Sequence, residues 1–85
     1  MTTTAAINID IRQFIVDNFL FGQAGQLSNH DSFLDAGIID STGVLELVAF
    51  LEERYGVRVA DDELVPANLD SIDRISRFIT RKLNG

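Results

Sequence analysis

Residues 41–55 (STGVLELVAFLEERY) repeat their apolar side chains at the spacing of an α-helix, and polar or glycine residues punctuate both ends. Placed at about 100° per residue, Val44, Leu47, Val48, Leu51 and Tyr55 fall within about 100° of one another and make a core stripe. Thr42, Leu45, Glu46, Ala49 and Glu53 turn the other way, onto a face that mixes carboxylates with Leu45 and Ala49. Asp40 and Ser41 form a polar pair at the start, and Gly56 stops the helix. One such stripe needs other helices to cover it, so the rest of the chain must supply matching ones.

Two segments do so. Ile7, Ile11, Phe14, Ile15 and Phe19 keep close to the i, i+3, i+4 pattern, which predicts a helix over about residues 8–21. Asn8 or Thr4 would cap it, Asp10 would sit in its first turn, and Gly22 and Gly25 would end it. At the other end of the chain, Asp70 or Ser71 caps a helix over about residues 71–83. Its stripe is Ile72, Ile75, Phe78, Ile79 and the Lys82–Leu83 step, with Arg74, Arg77 and Arg81 outward. Between these, Asp61, Asp62 and Glu63 predict a short helical turn over about residues 61–65, limited by Pro66. Val57, Arg58 and Val59 alternate as if extended, in a run too short for a sheet strand. In the long connection before Ser41, Ser32 and Asp35 have the spacing of a capping box. Phe33, Leu34, Ile38 and Ile39 can pin that loop to the core, and Gly37 suits a turn. The expected fold is all-α: three main helices plus one short helix, in a single domain over residues 1–85 closed by one long loop.

Size and composition narrow the function. A chain of 85 residues buries about 60–65% of the surface its unfolded form exposes, which leaves little room for a core and an enclosed active site together. There is no Cys, hence no disulfide, thiolate metal site or thiol nucleophile in the polypeptide. His30 is the only histidine and lies among polar residues, a poor start for a metal site. The acidic trio at 61–63 lacks the spacing of a calcium loop. No apolar run approaches the roughly 18 residues of a membrane span. The N-terminus has no signal-type apolar core, so a soluble, cytoplasmic protein is expected. The formal charge of −6, from 13 acidic and 7 basic residues, argues against nucleic acid and suits basic protein partners. Eleven of the 13 acids lie between Asp31 and Asp73, either as a solvated surface or as a docking face, whereas four bases crowd into Arg74–Lys82.

Ser41 admits three readings. It can be an N-cap whose hydroxyl takes a backbone N–H. It can be a catalytic nucleophile, but Ile39-Asp40-Ser41-Thr42-Gly43 is not the G-x-S-x-G elbow and a single His is poor support for a triad. Or it can be a modification site, where a helix N-terminus favours an attached phosphodiester. In that third reading a separate transferase activates the hydroxyl, and Asp40 serves as a cap or as a contact for the transferase and its metal ion.

Phe33-Leu34-Asp35-Ala36-Gly37-Ile38-Ile39-Asp40-Ser41, followed by Val44-Leu45-Glu46-Leu47-Val48 and Leu51-Glu52-Glu53-Arg54-Tyr55-Gly56-Val57, resembles the acyl carrier protein family, which includes acyl, aminoacyl and peptidyl carriers. The likeness covers nearly the whole chain, and its signature is a Gly, two residues, then Asp-Ser at the head of an amphipathic helix. The resemblance implies a right-handed helical bundle and a monomer that catalyses nothing alone. It implies 4′-phosphopantetheine, from coenzyme A, joined to Ser41 with Asp40 as a recognition contact. It also implies partner docking through Thr42, Leu45, Glu46, Ala49 and Glu53, by a phosphopantetheinyl transferase, an adenylating acyl- or aminoacyl-ligase and a downstream synthase or transferase. Three positions depart from the family's usual pattern: Thr42 where Leu is common, Gly43 where a longer residue is common, and the small Ala49. Gly43 is expected to weaken the first helical turn. These departures, and the form Gly-Ile-Ile-Asp-Ser-Thr-Gly-Val-Leu-Glu-Leu-Val, look closer to specialised stand-alone carriers charged by adenylating ligases, including aminoacyl carriers, than to a housekeeping fatty-acid carrier. Two rivals remain at this point: an unmodified helical interaction module with the carrier fold, and a small hydrolase.

Overall fold

Residues 3–20 and 27–84 are described by a computed structural model. Among them the chain forms α1 (Thr4–Phe19), α2 (Ser41–Tyr55), a single 3₁₀ turn (Asp61–Glu63), α3 (Pro66–Leu69) and α4 (Ile72–Asn84), with no strand. The expected all-α architecture of three main helices and a short one is observed.

Several boundaries differ from the expectation, each for a local reason. α1 starts at Thr4 because the Thr3 hydroxyl accepts the Ala6 N–H at 3.1 Å, ahead of the first apolar stripe residue. Neither Asn8 nor Thr4 is the cap, and Asp10 lies beyond the first turn. The helix ends at Phe19; Gly22 and Gly25, expected to end it, lie outside the described residues. The short helix expected over 61–65 is two pieces. Residues 61–63 make only the 3₁₀ turn, and Pro66 starts α3 rather than limiting its predecessor. Proline suits a first helical position because its φ is already helical and its missing N–H would have had no partner there. At the start of α4, Ser71 Oγ accepts the Arg74 N–H at 3.1 Å, so Ser71 does the capping and Asp70 is free for another task.

The three long stripes and the loop meet in one core. Ile7, Ile11 and Ile15 of α1, Leu47 and Leu51 of α2, and Ile72, Ile75, Phe78 and Ile79 of α4 are buried, with Phe33 and Ile39 from the loop. Val16 joins them, whereas Phe14 and Phe19 of the expected α1 stripe are only half-buried. Phe14 instead stacks on Phe50 of α2 at 4.2 Å between ring centres. The α4 stripe stops at Ile79. Leu83 is exposed, and Lys82 leaves the stripe to pair with Glu63 at 2.6 Å, which ties the 3₁₀ turn to the end of α4. Burying one Ile, Leu or Phe is worth about 1.5–3 kcal/mol, against roughly 0–1 kcal/mol for an exposed ion pair such as Arg77–Asp73. The apolar stripes, not the surface pairs, therefore place the helices.

α1 and α2 are also joined by a polar contact. The Tyr55 hydroxyl donates to Asp10 at 3.0 Å, and Arg54 reaches the same carboxylate oxygen at 3.1 Å. Burial, and then the bond to Asp10, push the Tyr55 phenol up from 10.0 to about 12. A pKa raised in the folded state means the neutral, bonded phenol stabilises the fold fully below about pH 10, and this contribution is lost as pH rises through about 12. Urea unfolding measured at about pH 8 and about pH 11 is expected to show this loss in the native sequence. Tyr55→Phe should remove that part of the pH dependence.

The segment before α2 is held as much by polar bonds as by apolar ones. Arg12 donates to the carbonyl of Leu27 at 2.7 Å, and the Asp73 N–H donates to the carbonyl of Asn29 at 2.9 Å. Ser32 Oγ accepts the Asp35 N–H at 3.1 Å, the first half of the expected capping box; among the described residues the Asp35 side chain returns no bond to Ser32. Gly37 has φ +67°, the left-handed turn conformation that favours glycine. Phe33 and Ile39 pin the loop to the core, but Leu34, expected to do the same, is 55% exposed.

Candidate functional site

The first turn of α2 decides how Ser41 can be used. Asp40 has extended backbone angles (φ −102°, ψ −173°), its carboxylate accepts the Gly43 N–H at 2.8 Å, and its carbonyl accepts the Val44 N–H at 3.0 Å. Asp40 is therefore the N-cap. Ser41 falls one position inside the helix, is exposed, and its hydroxyl has no hydrogen-bond partner among the described residues. The cap reading of Ser41 is thereby removed. The nucleophile reading gains nothing: His30, the single imidazole, sits 3.5 Å from Asp73 and does not bond Ser41. Among the described residues, nothing accepts the backbone N–H groups of Ser41 and Thr42. Two unpaired donors at the positive end of a helix dipole favour an anion attached at this point.

Gly43 holds this turn against the body of the protein. It is buried, and a Cβ built there would lie 2.8 Å from the Phe19 ring and 3.0 Å from Ile39 Cγ2. Reading Gly43 only as a weak helix former missed this role. The propensity cost of glycine is offset by a close approach of α2 to α1 that no larger residue permits. Nothing in the local spacing of residues 41–55 reveals it, because the neighbour is Phe19 on another helix.

Beside Ser41 opens an apolar groove of about 360 Å³. The loop lines it with Phe33, Leu34 and Ile39, and the segment around α3 lines it with Leu64, Val65, Pro66 and Leu69. Val44 and Leu45 of α2 join them, next to Asp40 and Ser41, and Asp70 also lines the groove. Leu34, Leu45 and Val65 are 55%, 63% and 40% exposed, so apolar side chains face water around the opening. The sequence reading did not find the groove. Its traces there are Leu45 on the outward face of α2 and the run Leu64–Val65 directly after an acidic turn.

Thr42, Leu45, Glu46, Ala49 and Glu53 are all exposed, as an outward face requires. They do not make one uniform surface. Leu45 leans into the apolar groove, and Thr42 and Glu46 border a shallower depression with Asn18, Phe19 and Ile38. Glu53 lies farther along with Phe50 and Arg54. Among the described residues there is no group of three or more His, Asp or Glu that could hold a metal ion, and no helix long and apolar enough to cross a membrane.

Comparison with known proteins finds sequence similarity along most of the chain. The family model described as a phosphopantetheine attachment site matches residues 20–79. D-alanyl carrier proteins from Streptococcus gordonii and Streptococcus thermophilus are each 30% identical over 70 residues, covering 82% of this chain and 87% of theirs. Polyketide-8 synthase acyl carrier protein 2 from Streptomyces avermitilis is 29% identical over 82 residues, covering 96% of this chain and 92% of that protein.

Proposed function

The chain belongs to the phosphopantetheine-attachment family of carrier proteins, and we propose that Ser41 is its attachment point. It is a carrier and not a catalyst, and its prosthetic group is covalent 4′-phosphopantetheine. That group supplies the thiol, on which cargo rides as a thioester, that a chain with no Cys does not itself contain.

The observation that carries the Ser41 proposal is the division of labour between two neighbours. Asp40 takes the capping bond, and Ser41 is left exposed beside an apolar groove, its hydroxyl and the first helix N–H groups without a partner among the described residues. The residues present fit the group: the helix end favours the phosphodiester charge, and the groove can shelter the apolar part of an arm or its cargo. Incubation with coenzyme A and a broad phosphopantetheinyl transferase is expected to add one phosphopantetheine to the intact mass, on the peptide containing Ser41. An unchanged mass, or addition on another peptide, would refute the assignment.

Carrier proteins of this family work with a transferase and with ligases or synthases. We assign this chain to a specialised cytoplasmic pathway, with an adenylating acyl- or aminoacyl-ligase as the loading partner and a synthase or transferase downstream. The resemblance to D-alanyl and polyketide carriers supports that reading. Partners would read Thr42, Leu45, Glu46, Ala49 and Glu53, with Leu45 supplying apolar contact and the two glutamates supplying charge. Glu46→Lys and Glu53→Lys should each slow loading by the ligase. Their stability should shift by about 0.5 kcal/mol or less, because both positions are exposed. Loading kinetics unchanged in both variants would exclude this face.

Asp40 is proposed to serve the transferase as well as the cap, and two substitutions separate the roles. Asp40→Ala should cost about 0.5–2 kcal/mol of stability through the lost cap, whereas Asp40→Asn should keep it, because Asn caps as well as Asp. Both should slow modification of Ser41. An Asp40→Asn variant modified as fast as the native sequence would leave Asp40 a cap alone.

A further inference from the structure

Asp70 lines the groove and, among the described residues, is its buried carboxylate. It follows α3 directly and is 9% exposed. Three successive loop residues dock on it. Its carboxylate accepts the Ser32 hydroxyl and the Leu34 N–H, the latter at 3.0 Å, and its carbonyl accepts the Phe33 N–H at 2.8 Å. Ser32 in turn accepts the Asp35 N–H. The partners are 36 to 38 positions apart in the chain. Asp70 is not needed to start α4, since Ser71 caps that helix.

The loop wall is otherwise held by Phe33 and Ile39 in the core and by bonds within the loop. Phe33 is buried in the core, but its neighbour Leu34 is 55% exposed at the opening, where the bond from its N–H to Asp70 sets its backbone position. A buried carboxylate is costly unless hydrogen-bonded, so the Asp70 bonds and the seated loop stand or fall together. We propose that Asp70 is a positioning residue for the carrier function. It latches residues 32–34 to the α3–α4 junction, holds the groove beside Ser41 at a set width, and thereby determines how tightly an acylated arm is held there. This deepens the reading of the groove as a shelter for arm or cargo and rests on it.

The test uses unmodified protein and free octanoyl-pantetheine as the probe, so it does not depend on whether Ser41 accepts phosphopantetheine. Binding is followed by amide NMR shifts. The native chain should show saturable shifts at Leu34, Val65 and Leu69. Asp70→Ala should weaken binding about tenfold, the equivalent of one lost hydrogen bond to a charged group. Asp70→Asn should restore most of the affinity: its carbonyl can still accept the Leu34 N–H, and its amide can donate to Ser32 Oγ. Ser32→Ala removes only one strand of the latch and should give an intermediate loss, with a thermal midpoint close to native. That variant keeps the test decisive if Asp70→Ala does not fold. Native binding at other residues, or no native binding, overturns the proposal, as does undiminished affinity in Asp70→Ala or Ser32→Ala. The attachment reading fails by a different sign, an unchanged intact mass after treatment with coenzyme A and transferase.

Discussion

Ser41→Ala is expected to abolish the mass addition by a phosphopantetheinyl transferase outright, while leaving the fold intact. The hydroxyl is exposed and makes no hydrogen bond among the described residues, so its removal costs no packing and no internal bond. Alanine is also well suited to a first helical turn. Stability should therefore stay within about 0.5 kcal/mol of the native value, with far-ultraviolet circular dichroism unchanged. Intact mass after incubation with coenzyme A reads the modification, and thermal unfolding reads the fold. Equal addition to the native and Ser41→Ala chains would place the attachment elsewhere. A large drop in midpoint would show that Ser41 has a structural task that the geometry at Asp40 does not assign to it.

The second large effect lies two residues on. Gly43→Val should destabilise the protein by about 1–3 kcal/mol, the usual range for overpacking a well-filled site. A Cβ there already meets the Phe19 ring at 2.8 Å and Ile39 Cγ2 at 3.0 Å. Neither neighbour yields freely. Phe19 lies edge-on to Phe14 at 5.9 Å, Phe14 is stacked on Phe50, and Ile39 is 5% exposed in the core. Relief requires either disturbing that aromatic group or lifting the first turn of α2, which carries Asp40 and Ser41. In a domain of this size each kilocalorie corresponds to roughly 4–8 °C in the thermal midpoint. Thr42→Val is the matched control, because Thr42 is exposed and the same side chain meets no wall there. Loss of stability in both variants, or in neither, would refute the close approach of α2 to Phe19. Gly43→Val is also expected to slow modification of Ser41, since the turn that presents the serine moves with the helix.

These two positions show where sequence reasoning is strong and where it stops. For Ser41, the Asp-Ser pair alone leaves cap and modification site both open, and the attachment reading enters only with the family resemblance that the flanking residues carry. The cap ambiguity, however, could not be resolved from the string. Asp40 and Ser41 are both good caps, and only the backbone angles and the bond to Gly43 choose between them. For Gly43, propensity pointed to a weak spot, and packing shows a contact. Leu34 and Leu83 fail in the opposite direction. Apolar character points Leu34 to the core and helical spacing does the same for Leu83, yet both are exposed, one at the rim of a groove and one past the end of the buried stripe.

What the sequence determined by itself is the part set by neighbours along the chain. Helical periodicity and the Gly56 stop act within a few residues, so α2, most of each core stripe and the all-α class are legible in the sequence. Only the tertiary structure decided the rest. The groove exists because Phe33, Leu34 and Ile39 of the loop, the first turns of α2 and the residues around α3 are brought together. Asp70 matters because it meets residues 32–34, from the far side of α2 in the chain. Such contacts depend on how distant segments pack, and close packing is a property of volumes and distances that no local pattern of residue types records.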